Sequence, residues 1–226
     1  MERHTLGKFD DALRSLRDQV LMMASLTDRM LTKAGEGLFS RSLEACDSVV
    51  ADDAEVDALE KSIDEDGVGL MIRYQPMAND LRDVVAAMKV SSNLERAADQ
   101  AVSIARRARR LCQSAALPET AALGDIFRLT VGIYRDSVRS FADRNESLAR
   151  EIKPRDRELD ALHHQAIENL TKRMAGDTAH IKEYLDLVLV ARNLERIGDH
   201  ATNIAEDAVF VTSAEDIRHT APAAGH

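Results

Sequence analysis

The segment Asn93-Leu94-Glu95-Arg96-Ala97-Ala98-Asp99-Gln100-Ala101 returns 100 residues later as Asn193-Leu194-Glu195-Arg196-Ile197-Gly198-Asp199-His200-Ala201. Ile104-Ala105 returns at the same offset as Ile204-Ala205. Upstream, Asp53-Ala54-Glu55-Val56-Asp57-Ala58-Leu59 matches Asp156-Arg157-Glu158-Leu159-Asp160-Ala161-Leu162 at an offset of 103, so the second copy is three residues shorter between the two motifs. The chain is therefore two copies of one unit, meeting near Pro118. A unit of about 100 residues is too long for a solenoid repeat and right for a small bundle. A chain of 226 residues has room for two of them.

Composition says what the unit is made of. Aromatics are 4% with no Trp, and there are only 10 Gly and 4 Pro. A β-rich chain needs more of all of these, so the balance favours helices. The 45% hydrophobic and 31% charged content excludes wholesale disorder. Pro76, Pro118 and Pro154, with Gly176-Asp177 and the polar stretch at 40–42, punctuate long stretches of helical periodicity. The spacing predicts helices at about 6–39, 43–74, 77–112, 120–142, 146–174 and 178–211. The fifth is expected to be interrupted at Pro154, which fits a first turn and not a helix interior, and the second to be kinked near its start. Apolar stripes run along Val56, Leu59, Ile63 and Leu70, along Leu94, Ala97, Ala101, Ile104 and Ala108, and along Val190, Leu194, Ile197, Ala201, Ile204 and Ala208. With short connections favouring antiparallel neighbours, the expected fold is all-α. It comprises two tandem antiparallel three-helix bundles, at 1–115 and 116–212, followed by a flexible tail at 213–226.

The net charge of −9 disfavours a nucleic-acid partner and suits cations or basic proteins. Cys46 and Cys112 allow no disulfide framework and read as small buried apolar residues. The opening Met-Glu-Arg-His carries no apolar signal region, and no apolar run approaches a membrane span of about 18 residues, so a cytoplasmic protein is expected.

Each copy carries two acidic pairs at i, i+4 spacing: Asp53/Asp57 with Glu95/Asp99, and Asp156/Asp160 with Glu195/Asp199. Like charges on one helix face cost a few tenths of a kcal/mol and need something to offset them. Glu95 shares its azimuth with Met88 and Val102, and Glu195 with Val188 and Thr202, so both flank the core stripe. Asp57 lies about 100° from Val56, on the edge of its own stripe. If the motif helices of one copy pack together, their edge carboxylates converge, and four oxygen-bearing side chains in one groove make a hard-cation site. Iron, manganese, zinc and magnesium all satisfy that donor set. The competing reading is ordinary surface acids paired with neighbouring Arg or Lys.

The run Asn193–Ile204 resembles the signature of the PhoU family of phosphate-transport regulators. Gln75-Pro76-Met77-Ala78-Asn79-Asp80-Leu81-Arg82 resembles that family's Gln-Pro-x-x-x-Asp-Leu-Arg segment, and Phe9–Leu13 and Glu215–His219 also fit. The likeness covers roughly residues 5–219. It implies tandem three-helix bundles, often dimeric, with metal ions on the acidic motifs in some members. It also implies a role in holding the phosphate-starvation two-component system off when phosphate is plentiful. The implied partners are the phosphate-sensing histidine kinase and the ATPase of the phosphate ABC transporter, at the inner face of the membrane. The first copy departs from the pattern in having Ala98 for the usual Gly and Gln100 opposite His200, and the second copy lacks the Gln-Pro segment.

Other residues invite plainer readings. His200 points about 100° away from Asp199, as a surface or supporting His would. Arg106, Arg107, Arg109 and Arg110 suit a helix C-terminus, with a docking patch for an acidic partner as the alternative. Met22, Met23, Met30, Met71 and Met77 read as core filler. A non-enzymatic adaptor is the leading expectation. A ferritin-like dimetal enzyme would need Glu-x-x-His on two helices, whereas the nearest segment is Asp160-Ala161-Leu162-His163. There is also no Gly-x-Ser-x-Gly and no phosphate-cradling loop. A metal-free helical scaffold is the remaining rival.

Overall fold

The structure, a computed structural model, describes residues 2–217, with side chains from Gly7 onward. The C-terminal part of the expected tail, from residue 218, lies outside the described residues. Among those described there is no strand. The helices are α1 (Glu2–Phe39), α2 (Leu43–Tyr74), α3 (Asn79–Leu111), α4 (Glu119–Ala122), α5 (Gly124–Ala142), α6 (Glu146–Arg150), α7 (Ile152–Gly176) and α8 (Ile181–Ser213), with a 3₁₀ turn at Thr178–His180.

Local chemistry sets these limits. The Ser42 side chain accepts a hydrogen bond from the Ala45 amide at 3.1 Å and starts α2, satisfying one of the four amides a helix start leaves open. α2 stops where Gln75 turns left-handed, at φ 49°, just ahead of Pro76. Asn145 caps α6 in the way Ser42 caps α2, accepting from the Leu148 amide. Pro154 sits in the first turn of α7, where its missing N–H costs nothing. The expected break in the fifth helix therefore falls at Glu151, between α6 and α7. The second helix runs unbroken, and the fourth is split by a short α4 that was not expected.

α1, α2 and α3 pack on one another as the first bundle, and α5, α7 and α8 as the second, with α6 against α8. Val56, Ile63 and Leu70 are buried and Leu59 is partly buried. Every member of the α3 and α8 stripes is also buried. The methionines divide: Met23 and Met30 are core, Met71 is partly buried, and Met22 and Met77 are 59% and 80% exposed. Cys46 is buried and Cys112 only half-buried.

The two bundles join mainly through α3 and α8, which run antiparallel. Small buried residues, among them Ala97, Ala101, Ala201 and Ala205, allow the close approach. Towards the two ends of the pair are ion pairs, Lys89 to Asp207 at 3.5 Å and Arg107 to Asp186 at 3.3 Å, with Arg110 on the same carboxylate. α1 and α5 add a second contact. The Tyr134 hydroxyl donates to the Ala24 carbonyl at 2.8 Å, and Arg135 pairs with Asp28 at 2.7 Å. At the C-terminal edge, Ile217 is buried and Glu215 pairs with Arg150.

Candidate functional site

The eight carboxylates singled out in the sequence fall into two groups, one on each bundle. α2 brings Asp53 and Asp57, and α3 brings Glu95 and Asp99. α7 brings Asp156 and Asp160, and α8 brings Glu195 and Asp199. Asp53, Glu95, Asp156 and Glu195 are half-buried, and the other four are exposed. The groups sit at the edges of the apolar stripes: Asp57, Glu95, Asp160 and Glu195 each adjoin a core residue in sequence, and Asp53 and Asp156 lie one helical turn before Val56 and Leu159.

The helices hold these side chains close enough to act on one another. Burial raises the Asp53 carboxyl above its ordinary value, with Asp57 on its own helix and Asp99 on α3 adding to the rise. Burial raises Glu95 too, followed by Asp99, Glu60 and Asp57. In the second group burial pushes Asp156 up to about 6, with Asp160 and Asp199 adding and Lys153 opposing. Asp199 also rises to about 6, through burial, Glu195 and Asp160. Glu195 rises by burial and by Asp160, with Arg192 and Arg196 pulling down. Desolvation and like charges both disfavour the ionised form, and a bound cation would relieve both. Among the described residues, however, no three His, Cys, Asp or Glu side chains already stand in position to enclose an ion.

Two residues beyond the eight belong to these groups. Glu60 on α2 is raised by burial and by Asp64, and it lies close enough to Glu95 of α3 to act on it. His163 on α7 is lowered by burial, with Asp160, His164 and Arg192 around it. Its Nε2 is buried and has no hydrogen-bond partner. Helical spacing carried the signal for both, since each lies three residues past an acid of the pair and on the same face.

A cleft of about 570 Å³ opens beside the second group, lined by Asp156, Asp199, Lys153, Arg196, His200 and Glu206 among others. His200 Nδ1 lies 3.3 Å from Asn93 Oδ1 across the α3–α8 seam, and Asn203 donates to the same oxygen at 3.2 Å. His200 thus ties the two copies together. Burial lowers its pKa, and Arg196 and Arg96 lower it further. The arginine cluster is largely committed within the chain. Arg107 and Arg110 hold Asp186, Arg109 pairs with Asp47 at 3.3 Å, and Arg106 acts on Asp53.

The family model described as PhoU domain matches this chain twice, over residues 20–108 and 123–208. The chain belongs to the PhoU family. The two matches contain the two carboxylate groups. A Xylella fastidiosa relative named phosphate-specific transport system accessory protein PhoU homolog is 35% identical over 214 residues, covering 95% of this chain and 90% of its own length. The Serratia marcescens phosphate-specific transport system accessory protein PhoU is 32% identical over 219 residues, covering 97% of this chain and 90% of its own. The crystal structure of PhoU from Pseudomonas aeruginosa superposes with a TM-score of 0.89 at 29% identity, over 92% of this chain and 100% of that one. The all-α tandem architecture is thus that of the PhoU fold. Among the described residues no helix is long and apolar enough to cross a membrane.

Proposed function

We propose that this chain is a non-enzymatic adaptor of the phosphate transport system. When phosphate is plentiful, it holds the phosphate-starvation response off and moderates phosphate uptake. It works in the cytoplasm at the inner face of the membrane, as a homodimer. There it contacts the phosphate-sensing histidine kinase and the ATPase of the phosphate ABC transporter, and passes the transporter's state to the kinase. The observation that carries this reading is likeness along nearly the whole chain to proteins named as phosphate-specific transport system accessory proteins. The acidic surface suits protein and cation partners.

The metal reading belongs to the same proposal. Asp53, Asp57, Glu95 and Asp99 hold one centre, and Asp156, Asp160, Glu195 and Asp199 hold the other, for iron, manganese, zinc or magnesium. The donor chemistry fits, because carboxylate oxygens on two packed helices are what such cations take. The orphaned Nε2 of His163 is a further available donor beside the second group. Asp57, Asp99, Asp160 and Asp199 are exposed, so their side chains are free to turn towards an ion. A bound ion supplies positive charge that offsets the repulsion and links the two helices.

The test is alkaline phosphatase activity in a deletion strain grown with ample phosphate. High activity, returned to low by the wild-type gene, is the expected result. Low activity in the deletion strain would overturn the repressor role.

A further inference from the structure

At an offset of 103, α1 and α2 of the first copy map onto α5 and α7 of the second. The turns after α1 and α5 agree in detail. Arg41 and Arg144 are both left-handed, at φ 56° and 52°, and Ser42 and Asn145 both cap the helix that follows. Along the seam between the paired helices the copies part. Leu16, Ile63 and Leu70 are all buried in the first copy, and the Gln19 amide donates to Asp66 across the seam at 2.7 Å. The equivalent residues of the second copy are Glu119, Ala166, Arg173, Ala122 and Asn169. Where the first copy has two core leucines, the second has an ion pair, Arg173 to Glu119 at 3.2 Å. Alanine stands in place of the core isoleucine, and Ala122, in place of Gln19, is too short to bridge the seam.

The seam of the second copy is open as a result. The first copy has a cleft of about 200 Å³ along it, and the second one of about 760 Å³, a size that ligand sites have. The larger cleft is floored by Leu123 and Ile126 at the start of α5 and by Leu162, Ala166 and Leu170 of α7. Its α7 wall runs from Leu162 to Arg173, about 16 Å at the helical rise, and the three apolar residues on it are four apart, on one face. A groove between two helices with an apolar stripe at that spacing matches the apolar face of a third helix. The rim charges are answered within the chain, Lys172 by Glu168, Asp125 by Arg128 and Arg173 by Glu119 Oε1. Glu119 Oε2 is the exception: it is buried and accepts no hydrogen bond. A buried carboxylate oxygen without a donor costs free energy, and a cation carried by the occupant removes that cost.

We propose that this cleft seats an amphipathic helix of a protein partner, with an aliphatic stripe against Leu162, Ala166 and Leu170 and a lysine or arginine at the end beside Glu119. The chain's net charge of −9 favours the same kind of partner. The assignment rests on the adaptor reading only in taking the occupant to be a protein. Peptide binding tests the cleft and alkaline phosphatase tests the adaptor, so the two fail separately.

The test uses the full-length chain and two fluorescein-labelled helical peptides of about 18 residues, built from Leu, Ala and Gln with leucines at i, i+4 and i+8. One ends its stripe in lysine and its twin ends in glutamate. Fluorescence anisotropy is expected to show the lysine peptide binding at least tenfold tighter than the twin. Ala166→Ile, which installs the first copy's residue, should weaken the lysine peptide at least tenfold, and Ala122→Gln on the exposed rim should weaken it too. Glu119→Gln should bring the two peptides to equal affinity. Ile72→Ala, at a 74% exposed apolar side chain of the first copy, should change nothing. Circular dichroism and melting check that each variant folds. Lysine-peptide binding that survives both Ala166→Ile and Ala122→Gln, or no binding by the wild type, would overturn the proposal. So would a dimer in sedimentation that Ala166→Ile dissolves, since the cleft would then hold a second copy of this chain.

Discussion

A Cβ added to Gly198 of α8 would sit 2.3 Å from Leu159 Cδ2 of α7, well inside contact distance and with Leu159 fully buried. In the first copy the equivalent positions are Ala98 and Val56. The larger residue on one helix is matched by the smaller on the other in both copies. Helix propensity alone would favour Gly198→Ala by about 1 kcal/mol. Overpacking a closed site costs about 1–3 kcal/mol, and the clash should win. Gly198→Ala should therefore lower the melting temperature, and adding Leu159→Val should recover part of the loss. A double-mutant cycle with zero coupling would refute the pairing.

Tyr134 is buried, and its hydroxyl joins α5 to the Ala24 carbonyl of α1. Tyr134→Phe removes the donor and keeps the ring. The expected cost is about 1 kcal/mol in chemical denaturation, with the helical circular dichroism unchanged. A variant as stable as wild type would show that this bond contributes nothing net.

Burial, with Cys112 and Asp47 nearby, pushes the Cys46 thiol up to about 11. A thiol raised from its ordinary value of about 9 contributes stability that is present below about 9 and lost as pH climbs through about 11. At pH 8 the thiolate fraction is about one in a thousand. A disulfide reagent at that pH should leave Cys46 unmodified in the folded chain and react promptly in urea. Rapid labelling of native Cys46 would contradict this.

An ion bound by the folded chain and not by the unfolded one stabilises it by mass action. At a hundredfold excess over Kd the gain is about 2.7 kcal/mol, or roughly 5–10 °C for a chain of this size. Chelator should lower the melting temperature by that order, and Asp53→Asn with Asp99→Asn should remove part of the response. Melting indifferent to both chelator and added cation would count against ion binding at these groups.

Much of the architecture was legible because duplication and helical periodicity are both linear signals. The stripe from Leu94 to Ala108 is buried as its spacing requires. Less legible was anything set by one local turn. The short α4 exists because the chain leaves the helical path between Ala122 and Gly124, and the apolar pattern of 120–142 gives no sign of it. Met22 and Met77 fit the core by type, but Met22 lies beyond the reach of α1's packed face and Met77 on the turn after Pro76. Glu60 and His163 begin where the visible identity between the copies ends, after Leu59 and Leu162, so matching by identity passes over them. Angular position on the helix would have found both. The ion pairs of Asp186 with Arg107 and Arg110 join residues distant in sequence, and only the packing of α3 on α8 shows that these arginines are engaged within the chain.

That seam also bears on how such a chain could be divided. α3 and α8 are each the best-buried helix of their own half, and each is covered in part by the other. A half released by cutting at residues 112–118 would lay bare an alanine-rich strip, and with it a lone Asp186 or a lone Arg107. It would stay soluble only by finding a twin to lie against. Joining the copies in one polypeptide supplies that twin at a fixed ratio and in one register. It also frees the two halves to diverge, as Glu60 and His163 have.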